Sequence, residues 1–148
     1  MKNNYAFLSL IMVTIVISPS LSDLISYPEV MKTFNVKILR EGIDTVVPNN
    51  HENLLFWVRI FTYNKDGSKN ILFNDPVSYI NSFGKMPQCI EYVAQRMSIM
   101  EKVEIDCKKE IGFKEEHLYK FDYKIEKNKD YFVDLQLWKI APVGERVE

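Results

Sequence analysis

Few side chains in this 148-residue chain have the types and spacing that chemistry demands. The two histidines, His51 and His117, are far apart in sequence and lack cysteine or carboxylate neighbours at metal-ligand spacing. Glu115-Glu116-His117 lacks the second histidine of a helical zinc motif. No glycine-rich phosphate loop is present, and no Ser-His-Asp order is credible. We therefore expect no metal and no cofactor. Glu101, Lys102 and Glu104 read as an ordinary solvated face. Lys114, Lys120, Lys124, Lys127 and Lys129 crowd one polar stretch, either a solvated loop or a surface for an acidic partner.

Cys89 and Cys107 are the remaining reactive side chains. A chain in an oxidising compartment could pair them, and two cysteines allow a single pairing. Sequence does not show whether their Cα atoms come within bonding range, so two buried thiols stand beside a disulfide.

The elements that would hold these residues are legible from periodicity. In GKMPQCIEYVAQRM (Gly84–Met97), Ile90, Val93, Ala94 and Met97 share one helical face, and Pro87 suits a first turn. The period then changes. Val103, Ile105 and Cys107 alternate with Glu104 and Asp106, which predicts a strand with one wet face. Phe34–Arg40 alternates as a first strand, and Glu41–Glu52 reads as a loop. Leu54–Tyr63 (LLFWVRIFTY) is the most hydrophobic strand candidate, closed by a turn at Asn64-Lys65-Asp66-Gly67. Ser68–Asp75 runs to Pro76, and Val77–Phe83 reads as a separate strand. Ile111–Asp130 is a long polar connection. Tyr131–Ile140 is the last strand, with Val133, Leu135 and Leu137 on one face and Asp134, Gln136 and Trp138 on the other. Trp57 and Trp138 read as packing residues at the sheet surface. Asp23–Thr33 shows no period and reads as a loose lead-in. The sum is an α+β domain, an antiparallel sheet of 4–5 strands wrapped around one short helix.

Composition sets limits on function. Charged residues make up 26% and hydrophobic residues 47%, ordinary for a globular domain. The net charge of -1 gives no global field for nucleic acid or an anionic membrane. At the N-terminus, Lys2 precedes an apolar run from Tyr5 to Ile17, then Ser18-Pro19-Ser20-Leu21-Ser22. That order is a secretory signal peptide over residues 1–22, too short to span a bilayer comfortably. An uncleaved signal anchor is the competing reading. We expect a protein that is secreted or held in the endoplasmic reticulum lumen, monomeric, and without a stable membrane anchor once the signal is cleaved.

In order and spacing, residues 34–141 resemble an FKBP-type peptidyl-prolyl cis-trans isomerase domain. The similarity rests on Asp66-Gly67, Gly84-Lys85, Val93–Ser98 (VAQRMS), Lys102–Cys107 and Phe132–Leu137 (FVDLQL), in that order. It implies that family's half-barrel and an apolar pocket for a proline ring. It also implies which residues stand at the pocket. Ile90 replaces the tryptophan of the family's pocket floor, and Met86-Pro87 replaces the apolar pair ahead of it. Ile60 stands where the family has a tyrosine, and Val133 where it has an aromatic. Phe113 keeps an aromatic ring but lacks the hydroxyl, and Tyr79 keeps an aromatic wall. For the family's Phe-Asp pair, ungapped alignment offers Asn70-Ile71 and a short gap offers Phe73-Asn74. The resemblance thus assigns Phe113, Ile90 and Tyr79 to catalysis and Ile60, Phe73, Met86 and Val133 to substrate contact.

Prolyl isomerisation needs no nucleophile. Its barrier of about 18–20 kcal/mol comes from amide resonance. An apolar pocket lowers it by excluding water and favouring the twisted amide. Loss of the indole at Ile90, of aromatics at Ile60 and Val133, and of a hydroxyl at Phe113 implies weakened catalysis. Two functions follow from the resemblance: a secretory isomerase with reduced activity on proline-containing peptides or protein clients, or a non-catalytic FKBP-like binding module. A secreted interaction protein is a third, resting on the signal and the small size.

Overall fold

The computed structural model describes residues 26–82, 84–121 and 124–147. The expected signal peptide, residues 1–22, lies outside them. Among the described residues no helix is long and apolar enough to cross a membrane.

Alternating side chains build the sheet. Leu54, Phe56, Val58 and Ile60 all point into the core from one strand, and Val103, Ile105 and Cys107 do so from another. The strands are β1 (Val36–Arg40), β2 (Asn53–Tyr63), β3 (Lys69–Ile80), β4 (Lys102–Cys107) and β5 (Tyr131–Ala141). They form one five-stranded antiparallel sheet in the order β1-β4-β5-β2-β3. Its inner face wraps helix α2 (Gln88–Ala94), whose Cys89, Ile90, Val93 and Ala94 are buried. Gly67, at φ +85°, makes the left-handed residue of the β2–β3 turn.

Three expectations change. Pro76 does not divide two strands: β3 runs through it, paired across from Trp57. Proline lacks an amide donor but is tolerated here because β3 is an edge strand. Asp23–Thr33 is not a loose lead-in over its described part, since Tyr27–Thr33 forms helix α1. Ser26 N–H donates to the Glu29 carboxylate at 3.1 Å and closes its first turn. Val30 is fully buried, Phe34 stacks on Tyr92, and the Tyr27 hydroxyl donates to Glu101. Pro87 precedes α2 at its N-cap instead of lying in the first turn.

The packed unit also reaches beyond 34–141 at both ends. Helix α1 joins it on one side. On the other, Val147 is buried at the end of a tail that turns at Gly144. The two cysteines face each other from α2 and β4 with Cα atoms 5.6 Å apart, and they form a disulfide.

Strand β2 keeps its alternation past Ile60, which puts Phe61 on the outer face; the register shift against β3 leaves Leu72 of β3 as the extra residue. There Phe61 stacks on Phe132, meets Tyr63 edge-on and lies under the Lys69 ammonium, 4.3 Å from the ring centre. The tryptophans Trp57 and Trp138 stack on each other.

Candidate functional site

The residues that the resemblance singles out come from six parts of the chain; Ile60, Phe73 and Val133 lie side by side across the sheet, while Tyr79 pairs with Leu54 at the other end of β2. Ile60 on β2 pairs with Phe73 on β3 at one side and with Val133 on β5 at the other. Ile90 is buried on α2 against the same core, and Met86 lies in the loop before it. Phe113 follows the 3-10 turn Lys109–Ile111 and packs edge-on against Tyr131 at 5.7 Å. Tyr79 stacks on Phe56 at 5.9 Å. Six of the seven belong to a single hydrophobic cluster, and Phe73 packs against it.

The cluster is closed. Ile60, Ile90, Phe113 and Val133 are 0% exposed. A proline ring could touch them only after another side chain moved. Phe121, from the polar connection between β4 and β5, packs against two of the assigned residues. Its ring packs edge-to-face against Phe73 at 5.2 Å and against Phe113 at 5.2 Å. Phe121 thus fills the space between two of the assigned pocket residues with an aromatic of its own.

Sequence reasoning missed Phe121 because lysines dominate the segment that carries it. That segment is not simply a solvated loop. Glu115–Lys120 forms a 3-10 helix, His117 is buried within it, and Ile125 is buried beyond it. The spacing of Leu118, Phe121 and Ile125 was the available signal. His117 Nδ1 accepts the Lys114 N–H at 3.0 Å, which places the ring proton on Nε2. Burial holds its pKa below 6.5, helped by the Lys114 charge and opposed by Glu116 and Glu91. His51 lies elsewhere, exposed in a turn with φ +65°.

Glu91 organises the loop before α2. This buried carboxylate accepts the N–H groups of Gly84, Lys85 and Met86 at 3.1, 2.7 and 2.9 Å. Such charge-assisted bonds fix the loop that carries Met86. The nearby Tyr79 hydroxyl is buried without a hydrogen-bond partner. Burial pushes its pKa up, and the Glu91 charge adds to the effect.

Two clefts flank the closed cluster. One, of about 350 Å³, runs past Met86, Glu91 and His117. The other, of about 440 Å³, lies between the end of β3, Lys85, Tyr119-Lys120 and the C-terminal tail. Among the described residues no three His, Cys, Asp or Glu side chains converge as a metal site requires.

No protein-family model matches the chain, and no curated protein matches its sequence. Among solved structures, FkpA from Escherichia coli is similar over 73% of this chain, with a TM-score of 0.53 and 15% identity. The likeness covers 48% of FkpA, so this chain spans about half the length of that protein. At that identity it is the fold that is shared: a five-stranded antiparallel sheet around a short helix, in an FKBP-like arrangement.

Proposed function

We propose that this chain is an isomerase-like protein of the secretory route that works mainly as a binding module for protein clients, with prolyl-isomerase activity reduced by a pocket filled from within. One observation carries the reading: Phe121 packs against both Phe73 and Phe113, and Ile60, Ile90 and Val133 are fully buried. A transition state is stabilised by groups that touch it, and these groups touch one another instead. The secretory placement draws on the apolar N-terminal run and on the Cys89–Cys107 disulfide, a bond that persists in oxidising compartments.

The test follows cis-to-trans relaxation of a proline peptide with an apolar residue before the proline. A deficit of about 2–4 kcal/mol in transition-state binding lowers kcat/KM by roughly 30- to 1000-fold against a family domain with an aromatic pocket. Turnover at that family's full rate would overturn the proposal.

A further inference from the structure

The cleft beside the closed cluster has a composition of its own. Its wall begins at Ser78–Ile80, the end of edge strand β3. Its far side is the C-terminal tail. The tail turns where Glu145 N–H donates to the Pro142 carbonyl at 3.0 Å, with Gly144 in the left-handed conformation at φ +83°. The Asn53 amide donates to the Glu145 carbonyl and pins the turn to β2, and buried Val147 anchors the end. This folding delivers Arg146 to the cleft, opposite Lys85 and Lys120.

Three cations therefore line the cleft against one carboxylate, Glu145, a local balance of +2 in a chain of net charge -1. No carboxylate of the described residues forms an ion pair with Lys85, Lys120 or Arg146. Lys120 Nζ instead donates to the Ser78 carbonyl at 3.3 Å and lies over the Tyr119 ring. Exposed Ile80 and Tyr119 add apolar surface between the charges. A cleft of about 440 Å³ takes one or two side chains of an extended chain, not a folded surface.

We propose that this cleft binds an acidic peptide segment of a protein partner, with carboxylates facing Lys85 and Arg146 and an apolar side chain against Ile80 and Tyr119. The proposal rests on the reading of this chain as a binding module and names its partner class. Such charges govern specificity and encounter rate, so binding is sensitive to salt.

The probe is a short fluorescein-labelled peptide of alternating glutamate and valine, without proline, measured by anisotropy with the folded chain. Its glutamine counterpart is the comparison. The glutamate peptide should bind at least about tenfold more tightly than the glutamine peptide, and weaken as salt rises. Lys85→Glu with Arg146→Glu should cost about tenfold or more, and Lys85→Gln with Arg146→Gln less. Lys65→Glu, in the β2–β3 turn, should leave binding unchanged. Circular dichroism checks that each variant is folded. Equal binding of the two peptides, no binding, or binding indifferent to charge reversal would each overturn the acidic-partner inference. Proline-peptide turnover on the same preparation reads the closed pocket separately, so the two proposals fail independently.

Discussion

Replacing Phe121 with alanine tests whether the pocket is filled or merely small. The ring is 9% exposed and makes two edge-to-face contacts, each 5.2 Å between centres. Aromatic pairs of this kind contribute about 0.5–1.5 kcal/mol each beyond area burial, so the two account for roughly 1–3 kcal/mol. Truncation of a buried phenylalanine costs about 3–5 kcal/mol in all. Phe121 sits at the rim, where neighbours can relax, so the lower end applies: about 3 kcal/mol. For a domain of this size that lowers Tm by roughly 12 °C. Urea unfolding with an unchanged m-value measures the loss directly. The folded variant should also accelerate proline-peptide relaxation more than the parent, because space opens between Phe73 and Phe113. Tyr119→Ala, at an exposed neighbour in the 3-10 helix just before Phe121, should stay within about 0.5 kcal/mol. A Phe121→Ala variant that loses less than about 1 kcal/mol, or that folds with turnover unchanged, refutes the argument that this ring closes the pocket.

Three further outcomes follow. The Cys89–Cys107 bond joins residues separated by 18 positions, so Cys89→Ala with Cys107→Ala should cost about 3 kcal/mol of unfolding free energy in oxidising buffer; equal urea midpoints for parent and variant would contradict it. Glu91→Gln turns one acceptor oxygen into a donor facing backbone N–H groups and should cost about 2 kcal/mol, with faster amide exchange at Gly84–Met86. His117 has a depressed pKa, so the unfolded chain takes up a proton first as pH falls below 6.5. Its contribution is present above pH 6.5 and is lost as pH falls through the folded-state pKa; proton NMR should find its titration below 6.5, and His117→Gln should flatten that part of the stability profile.

The sheet was legible because its inward residues repeat at period two and are buried on one side. Leu54, Phe56, Val58 and Ile60 needed no tertiary knowledge, nor did Val103, Ile105 and Cys107. Helix α2 was legible from the same kind of regularity, at Ile90, Val93 and Ala94. Helix α1 was not. It buries one of its own side chains, Val30, and is held from outside by Glu101 and Tyr92. Strand β3 was misread at Pro76 because whether a proline ends a strand depends on whether that strand is an edge, which is a property of the whole sheet. The disulfide lay beyond sequence for a related reason. Its 5.6 Å Cα separation is set by how α2 packs on β4.

The site divides along the same line. The resemblance assigns Ile90 and Ile60 on the regular elements α2 and β2, and Phe113 just past the 3-10 turn Lys109–Ile111. The packing of Phe121 was not legible, since that ring is held in an irregular segment by contacts from β3 and from Phe113. Charge shows a similar division. On the outer face of the sheet, Lys37 and Lys69 meet Glu104, and Lys69 and Arg59 meet Asp134, so cations there are neutralised where they stand. Partly exposed pairs of this kind add little stability, but they cancel the local field. Lys85, Lys120 and Arg146 form no such ion pair with a carboxylate of the described residues. A chain with net charge -1 therefore brings three cations and one carboxylate of the described residues to one cleft. The tail turn at Gly144 and the Asn53 contact hold Arg146 in place. The cost of ordering that tail is offset by Val147 in the core, so the cationic rim is a fixed feature of the fold and not a by-product of a loose end.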